Sequence, residues 1–523
     1  MFRVSRRSLQ KFARDASGNV AILFGVALIP LVLGVGVAVD YGRALIVRER
    51  LADAADAAAL AIGSWPGLDE DELSTKAQQF FDANYPATEI GTAGKVNVHL
   101  AGDDISVTVS ASMPTTFMKL ANFDSLDVGV TNKITKKQRN IEVVLVLDTT
   151  GSMGSGGKLN AMKNAAKKLV DTLFAGKSTS DTLRIGLVPY SGAVNIGTDK
   201  LDSGWLNKDT YTTSKCSTDC FPWEDLDQTS GISTLKLYKE FPATGLKNRS
   251  WAGCVRERSG GNGAYELTDD PPSSGVSASL WVPYFAPDEP NNDFINNYVS
   301  NGSTSGVTCN KGPTSGSNAT LNKEQCSTSK YKDKNASGGG PEYNCPPAKI
   351  TAMTNVKSTI VSGIDALVAN GYTVIPAGLL WGWRAISPGD PFTEGANYDD
   401  EKWVKAIVLL TDGQNDVNAG SNSFNESVYN AFGYAKNGHL GNTNGSNAGA
   451  TLNTKTSTVC NGIKARGIRL YTIGFQVSGS TITNLLKNCA TEPDMFYNSP
   501  NNQQLEVVFA DIAQGLSELR IAQ

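Results

Sequence analysis

Ile141-Glu142-Val143-Val144-Leu145-Val146-Leu147 runs directly into Asp148-Thr149-Thr150-Gly151-Ser152-Met153. The first seven residues form a mostly apolar run of strand length, the pattern of a parallel strand buried on both faces. Lys158–Phe174 follows with amphipathic helix spacing, and Leu183–Pro189 is a second apolar strand. The order strand, helix, strand predicts a parallel α/β sheet, because a crossover helix must return the chain to the same edge.

In such sheets ligands gather beyond the carboxyl ends of the strands. Asp148, Thr150 and Ser152 leave the first strand at i, i+2 and i+4 on a tight turn, so one carboxylate and two hydroxyls can face one point. A second apolar strand, Lys405–Thr411, ends in Asp412-Gly413, and Asp412 meets Asp148 if the two strands are neighbours. Thr373, in Asn370-Gly371-Tyr372-Thr373 just before a helical stretch, offers a further oxygen. Asp148, Thr150, Ser152, Thr373 and Asp412 are therefore the candidate ligands of a hard divalent cation, Mg2+ or Mn2+.

Asp, Thr, Ser and Gly also serve as helix caps and turn formers, but two such pieces at strand ends of one sheet favour a metal site. A phosphate loop fails, because Ser152 stands where its first Gly belongs and Leu159 where Ser or Thr must follow Lys158. An aspartyl phosphatase needs a second acid at the position held by Thr150. A Ser-His-Asp arrangement would have to use His99 or His439, the two histidines of the chain. With no general base evident near Asp148, no enzymatic activity is expected.

Downstream, helices are predicted over Met353–Ala369, Ile375–Ile386, Gly449–Arg466, Thr481–Lys487 and Leu505–Leu519. Further strands are predicted over Ile468–Phe475 and Met495–Tyr497. Between about Asn195 and Pro347 the alternation stops. Gly, Ser, Asn, Thr, Asp and Pro dominate there, and six of the eight cysteines lie in it. So long a structureless loop is improbable, and residues 195–347 read as an insertion pinned by disulfides, with tryptophans 205, 223, 251 and 281 as a small core. Pairings among Cys216, Cys220, Cys254, Cys309, Cys326 and Cys345 stay open. Cys460 with Cys489 is expected to tie two neighbouring late elements. Zinc is disfavoured by the two histidines and the absence of paired C-x2-C spacing.

Upstream, Val20 to Val39 carries no charge and at about 1.5 Å per residue spans roughly 30 Å, the hydrocarbon thickness of a bilayer. Arg3, Arg6, Arg7, Lys11 and Arg14 precede it, which predicts a cytoplasmic N-terminus (residues 1–19), a retained transmembrane helix (20–39) and a periplasmic or extracellular remainder. Eight cysteines beyond the span agree with that side. Residues 40–63 read as a helix continuing outward, with Leu51, Ala55, Ala58 and Ile62 on one stripe that fits either its own domain or other membrane subunits. Residues 64–138 read as a small α+β connector, with a helix over Leu73–Asn84, a hairpin of Lys95–Leu100 and Ile105–Ser110, and a third strand over Leu126–Ile134. A formal net charge of −4 over 523 residues leaves no basic surplus for nucleic acid.

Asp148-Thr-Thr-Gly-Ser-Met together with Thr411-Asp412-Gly413 resembles the von Willebrand factor A (integrin I-type) domain and its metal-ion-dependent adhesion site, over about residues 139–523. The resemblance implies a Rossmann-like sheet holding Mg2+. The hydroxyls of Thr150 and Ser152 would ligate directly, Asp148 and Asp412 mostly through water, and Thr373 in some states. An open metal position would take an acidic group from a protein partner. Thr373 sits in Gly-Tyr-Thr where the family has Gly-Gly-Thr. The N-terminus, from Asp15-Ala-Ser-Gly18-Asn19-Val20-Ala21 through Asp40 to the Ala-rich run Leu51–Ala61, resembles the TadG-like proteins of Flp (tight adherence) pilus assembly, as does Gly382-Trp383-Arg384 with Ser387-Pro388. Leu23 stands where related pseudopilins carry the Glu of a processing site, so no prepilin-type cleavage is expected. What the two resemblances imply is an inner-membrane envelope protein of pilus assembly or surface adhesion. The alternatives are a purely structural subunit with a vestigial metal site and, less favoured, a metal-dependent hydrolase.

Overall fold

The structure is a computed structural model. It describes residues 17–63, 65, 69–86, 90–101, 104–135, 139–207, 238, 251–258, 265–290, 295–301, 304–309, 315–327, 329–332, 339–417, 424–438, 440–441 and 443–519. The basic N-terminal residues, the Gly102-Asp103 turn, Cys216, Cys220, Trp223 and His439 lie outside the described residues. The chain divides into two compact units, residues 1–138 with 521–523, and residues 139–520.

The smaller unit is built on α1 (Ser17–Gly63), a single helix. Ile22–Gly63 is long and apolar enough to cross a membrane. Large apolar side chains from Ile22 to Val39 are exposed around the helix, so this segment is apolar all round rather than on one stripe. From Ala44 the pattern becomes one-sided. Ala44, Val47, Leu51, Ala55, Ala58 and Ile62 are buried at the three- and four-residue spacing that keeps one stripe on one face. This stripe packs on its own unit, against α2 (Glu70–Asn84) and the sheet strands described next. Asp69 and Glu72 start α2 with a reciprocal capping box.

Four antiparallel strands complete the unit: β1 (Thr92–Ala93), β2 (Asn97–Ala101), β3 (Asp104–Pro114) and β4 (Ser125–Thr135). β3 pairs with the other three, and β2 and β3 form a hairpin with Leu100 opposite Ile105. Ile105, Val107, Val109, Ala111 and Met113 alternate into the core, so the period of two that marks a half-buried strand turns this face toward the helices.

The larger unit is a doubly wound sheet. Its strands are β5 (Asn140–Asp148), β6 (Leu183–Tyr190), β10 (Thr351–Thr354), β11 (Trp403–Thr411), β12 (Arg469–Phe475) and β13 (Phe496–Ser499), in the order β10-β6-β5-β11-β12-β13. All neighbours are parallel except β10 with β6. Helices α3 (Lys158–Phe174), α5 (Lys357–Asp365) and α9 (Asn502–Leu519) cover one face. Helices α6 (Ile375–Ile386), α7 (Ala448–Ala465) and α8 (Ser480–Cys489) cover the other. β5 shows why its sequence is apolar throughout: Val144 and Val146 enter one core while Ile141, Val143, Leu145 and Leu147 enter the other. The Rossmann-like architecture implied by the resemblance is the architecture of this unit.

One element differs from its sequence reading. Thr351–Thr354 does not belong to a helix running from Met353. It is the edge strand β10, with Thr351 opposite Leu187 of β6, and the helix begins only at Lys357 and ends at Asp365. Thr-Ala-Met-Thr has no strong local preference, and the unpaired backbone of β6 decides the matter by offering ladder hydrogen bonds.

Between β6 and β10 the insertion contributes β7 (Val194–Asn195), β8 (Cys254–Arg256) and β9 (Val282–Pro283) as a small antiparallel sheet, and α4 (Ser317–Cys326). Disulfides join Cys254 to Cys345 and Cys309 to Cys326. Its described tryptophans do not form a separate core. Trp205, Trp251 and Trp281 belong to the same apolar cluster as Val144, Leu379 and Trp381, with Trp281 and Trp381 rings 5.0 Å apart.

A third disulfide, Cys460–Cys489, joins α7 to α8 with Cα atoms 5.2 Å apart and a sequence separation of 29. Cross-linking a loop of that size removes denatured-chain entropy equivalent to about 3.6 kcal/mol. Replacing both cysteines by Ser should therefore lower urea-unfolding stability by about that amount, and an unchanged midpoint would show that the α7–α8 packing suffices alone.

Candidate metal centre

β5 and β11 lie side by side, Leu147 opposite Leu410, so both strands deliver their last residues to the same sheet edge. β6 lies on the other side of β5. The chain thus leaves β5 toward β6 and returns on the opposite side as β11, which makes this the switch point where a doubly wound sheet opens a crevice. Asp148 and Asp412 are the residues delivered there, and both are buried.

The turn after β5 then folds back on them. Thr150 N–H donates to Asp148 Oδ1 at 2.8 Å. The Thr150 and Ser152 hydroxyl oxygens are 3.0 Å apart, and the Ser152 hydroxyl donates to Asp412 Oδ1 at 2.6 Å. Thr411 donates its hydroxyl to Asp148 Oδ2 at 2.8 Å. Four of the five candidate residues thus form one hydrogen-bonded cluster. The fifth, Thr373, arrives by backbone. Gly151 N–H donates to Gly371 O and Asn370 N–H to Thr149 O, which fastens the 370–373 loop to the 149–151 turn. Thr373 itself exchanges backbone hydrogen bonds with Asp416. Gly371 adopts φ of +84°, a conformation that suits Gly.

Two participants were not singled out by sequence reasoning. Lys158, the first residue of α3, places Nζ 2.9 Å from Asp412 Oδ2, and Thr411 orients Asp148. The sequence signal for Lys158 is the Gly-rich run before it, which brings the start of α3 back to the end of β5. Burial, then the Asp412 charge, pushes the Asp148 carboxyl up to about 6, against the hydrogen bonds from Thr150 and Thr411. Two carboxylates at one buried point are short of positive charge.

The donor set fits a hard cation. Hydroxyl and carboxylate oxygens are the ligands Mg2+ prefers, and the Lys158 ammonium already rests on one of these carboxylates. Among the described residues no group of three or more His, Cys, Asp or Glu could hold a metal. A cation here would therefore depend on the hydroxyls of Thr150 and Ser152 as much as on the acids.

Residues 18–63 match the family model described as putative Flp pilus-assembly TadE/G-like. No curated protein matches the chain. Among solved structures, the vWF domain of the type V pili tip protein Mfa5 from Porphyromonas gingivalis is similar at 11% identity, covering 74% of this chain and 97% of that one, with a TM-score of 0.33. The pilus adhesin SpaC from Lactobacillus rhamnosus GG is similar at 12% identity and a TM-score of 0.32, covering 81% of this chain and 34% of that one. Proximal thread matrix protein 1 from the mussel byssus is similar at 12% identity and a TM-score of 0.28, covering 73% of this chain and 48% of that one. This chain thus spans about a third of the adhesin and half of the mussel protein.

Proposed function

We propose that this chain is a membrane-anchored envelope protein of Flp pilus assembly or surface adhesion, binding a protein partner through Mg2+ (or Mn2+) at the end of β5 and β11. Asp148, Thr150, Ser152 and Asp412 would hold the ion, with Thr373 on the adjoining loop. The observation that carries this reading is the meeting of Ser152 and Asp412, 260 residues apart, at 2.6 Å beside the buried Asp148. The bound ion would supply an electrophilic point for an acidic side chain of the partner. Asp148 anchors the turn through Thr150 N–H, Thr411 orients Asp148, and Ser152 bridges to Asp412.

The reading is of a binding site and not an enzyme. The groups gathered at the site are the two acids, the hydroxyls of Thr150, Ser152 and Thr411, and the Lys158 ammonium resting on Asp412, a set that supports cation and carboxylate binding. Anchoring is supported by the apolar length of α1 and the family match over residues 18–63. An inner-membrane location with the larger unit periplasmic or extracellular is supported by the basic N-terminus and by three disulfides, which persist outside the reducing cytoplasm.

The test uses full-length protein as bait for solubilised envelope proteins, with Mg2+ or with EDTA, beside Ser152→Ala. Capture that depends on Mg2+ and is lost by at least about tenfold in EDTA and in Ser152→Ala is the expected result, because one ligand is worth more than the 1.4 kcal/mol of a tenfold change. Capture that persists in EDTA would favour the structural subunit with a vestigial site.

A further inference from the structure

The turn between β3 and β4 carries three large, partly or largely exposed apolar side chains in seven residues: Phe117 is 37% exposed, Leu120 74% and Phe123 57%. A cluster of this kind on a short turn marks an interaction site more often than an accident of the surface. The turn is also closed by hydrogen bonds. Thr115 donates its backbone N–H to Asp124 O and its hydroxyl to Phe123 O, and Asn122 closes a short helical turn in the left-handed conformation.

What the turn is fixed to identifies its environment. Asp40 of α1 accepts the backbone N–H groups of Thr116, Phe117 and Met118, the last two at 2.7 and 2.8 Å. Arg43 donates to the Thr116 hydroxyl at 2.8 Å. Gly36, one turn earlier, is covered by the Phe117 side chain so closely that a methyl group on Gly36 would overlap it. Gly36 lies inside the uncharged run that ends at Val39, and Asp40 is the first charge after it. From Asp40 onward α1 runs beside β4 away from this point, with Ala52 O accepting from Asn132. The turn is therefore the end of the smaller unit nearest the apolar span, level with that span's last turn.

We propose that Phe117, Leu120 and Phe123 enter the interfacial layer of the bilayer that α1 crosses, so that the β3–β4 turn forms a second membrane contact. The proposal rests on α1 as a membrane span. Asp40 at the boundary then has a defined role: it spends its charge on three backbone donors and locks the turn to the helix. Lys119, between the apolar residues, would reach the headgroup phosphates, as lysines at interfaces do. One helix alone leaves a domain free to swing, whereas a helix plus a wedge sets its orientation to the membrane plane.

The experiment reconstitutes the full chain in phosphatidylcholine/phosphatidylglycerol vesicles. A single added cysteine at Val32→Cys, Leu120→Cys or Thr131→Cys is labelled with an environment-sensitive fluorophore, with the unsubstituted chain as background. Thr131 is exposed and six residues along β4 from its start, about 20 Å from the turn. The expected result is that lipid carrying a nitroxide near the headgroup quenches the label at 120 at least about twofold more than the label at 131, while aqueous iodide shows the reverse order. If 120 behaves like 131 while 32 is shielded from iodide, the wedge is overturned and the span stands. If 32 is also open to iodide, the span fails and the wedge fails with it.

Discussion

Replacing Asp148 by Asn is expected to stabilise the metal-free protein by about 3 kcal/mol at neutral pH and to abolish its response to Mg2+. The first effect follows from the carboxyl's rise from 3.8 to about 6, at about 1.4 kcal/mol for each unit. An acid whose folded-state value is raised binds more protons folded than unfolded in that window. Its contribution to stability is therefore fully present below 3.8 and lost as pH rises through about 6. The wild-type protein in EDTA should accordingly lose stability between those values on this account, while Asp148→Asn should not. The amide oxygen can still accept from Thr150 N–H, the amide NH2 can donate to the Thr411 hydroxyl while that hydroxyl donates to Gly413 O, and the repulsion with Asp412 is removed. The second effect has the opposite sign, because the same charge pair is what a divalent cation neutralises. Wild type should melt higher in Mg2+ than in EDTA, by about 2.7 kcal/mol at a hundredfold excess over the dissociation constant, and the Asn variant should not shift. Thermal unfolding of the full chain at several pH values, with and without Mg2+, checks both signs. An Asn variant that melts below wild type in EDTA at neutral pH would sink the electrostatic account.

What could be read from the sequence follows a physical division. β5 was legible because a strand buried on both faces needs no partner to declare itself, and Asp148, Thr150 and Ser152 followed from where such a strand must end. Asp412 was legible for the same reason, as the first residue after another such run. Lys158 was not, because its role depends on the reach of a flexible side chain from α3 to a residue 254 positions away. β10 was missed because only its neighbour β6 makes it a strand. The insertion's tryptophans read as a private core, but the distribution of apolar residues in a chain does not say which cluster they join. Arg384 belongs to a legible pattern with Trp383 and Ser387, but its partner does not, since Glu257 lies in the irregular insertion.

That partner carries the second large effect: Glu257→Ala is expected to destabilise the larger unit by about 4 kcal/mol, within the range measured for breaking a buried ion pair from one side. Arg384 is fully buried on α6 and donates to Glu257 Oε2 at 2.7 Å. Its other nitrogens donate to the carbonyls of Thr268 and Glu266, also in the insertion, and its guanidinium lies 5.0 and 5.1 Å from the Trp281 and Trp381 ring centres. Arg258 is nearby, and burial together with the Arg384 charge pushes it down to about 9. Removing Glu257 therefore leaves two buried guanidinium groups facing each other with less to neutralise them. The remedy predicted by the same reasoning is a second substitution. Glu257→Ala with Arg384→Met should recover at least half of the loss, because methionine can pack beside the two contacting tryptophan rings without a charge. A double-mutant cycle by urea unfolding decides it, since groups in direct contact must show non-additivity. If the single change costs under about 1 kcal/mol, the insertion is held to the sheet by its apolar contacts and Cys254–Cys345 alone. The double variant should also keep its Mg2+ shift, because α6 begins two residues after Thr373 and the substitutions lie at its far end. Loss of that shift would mean that the insertion reaches the metal centre through α6 and that partner binding and insertion packing are one problem.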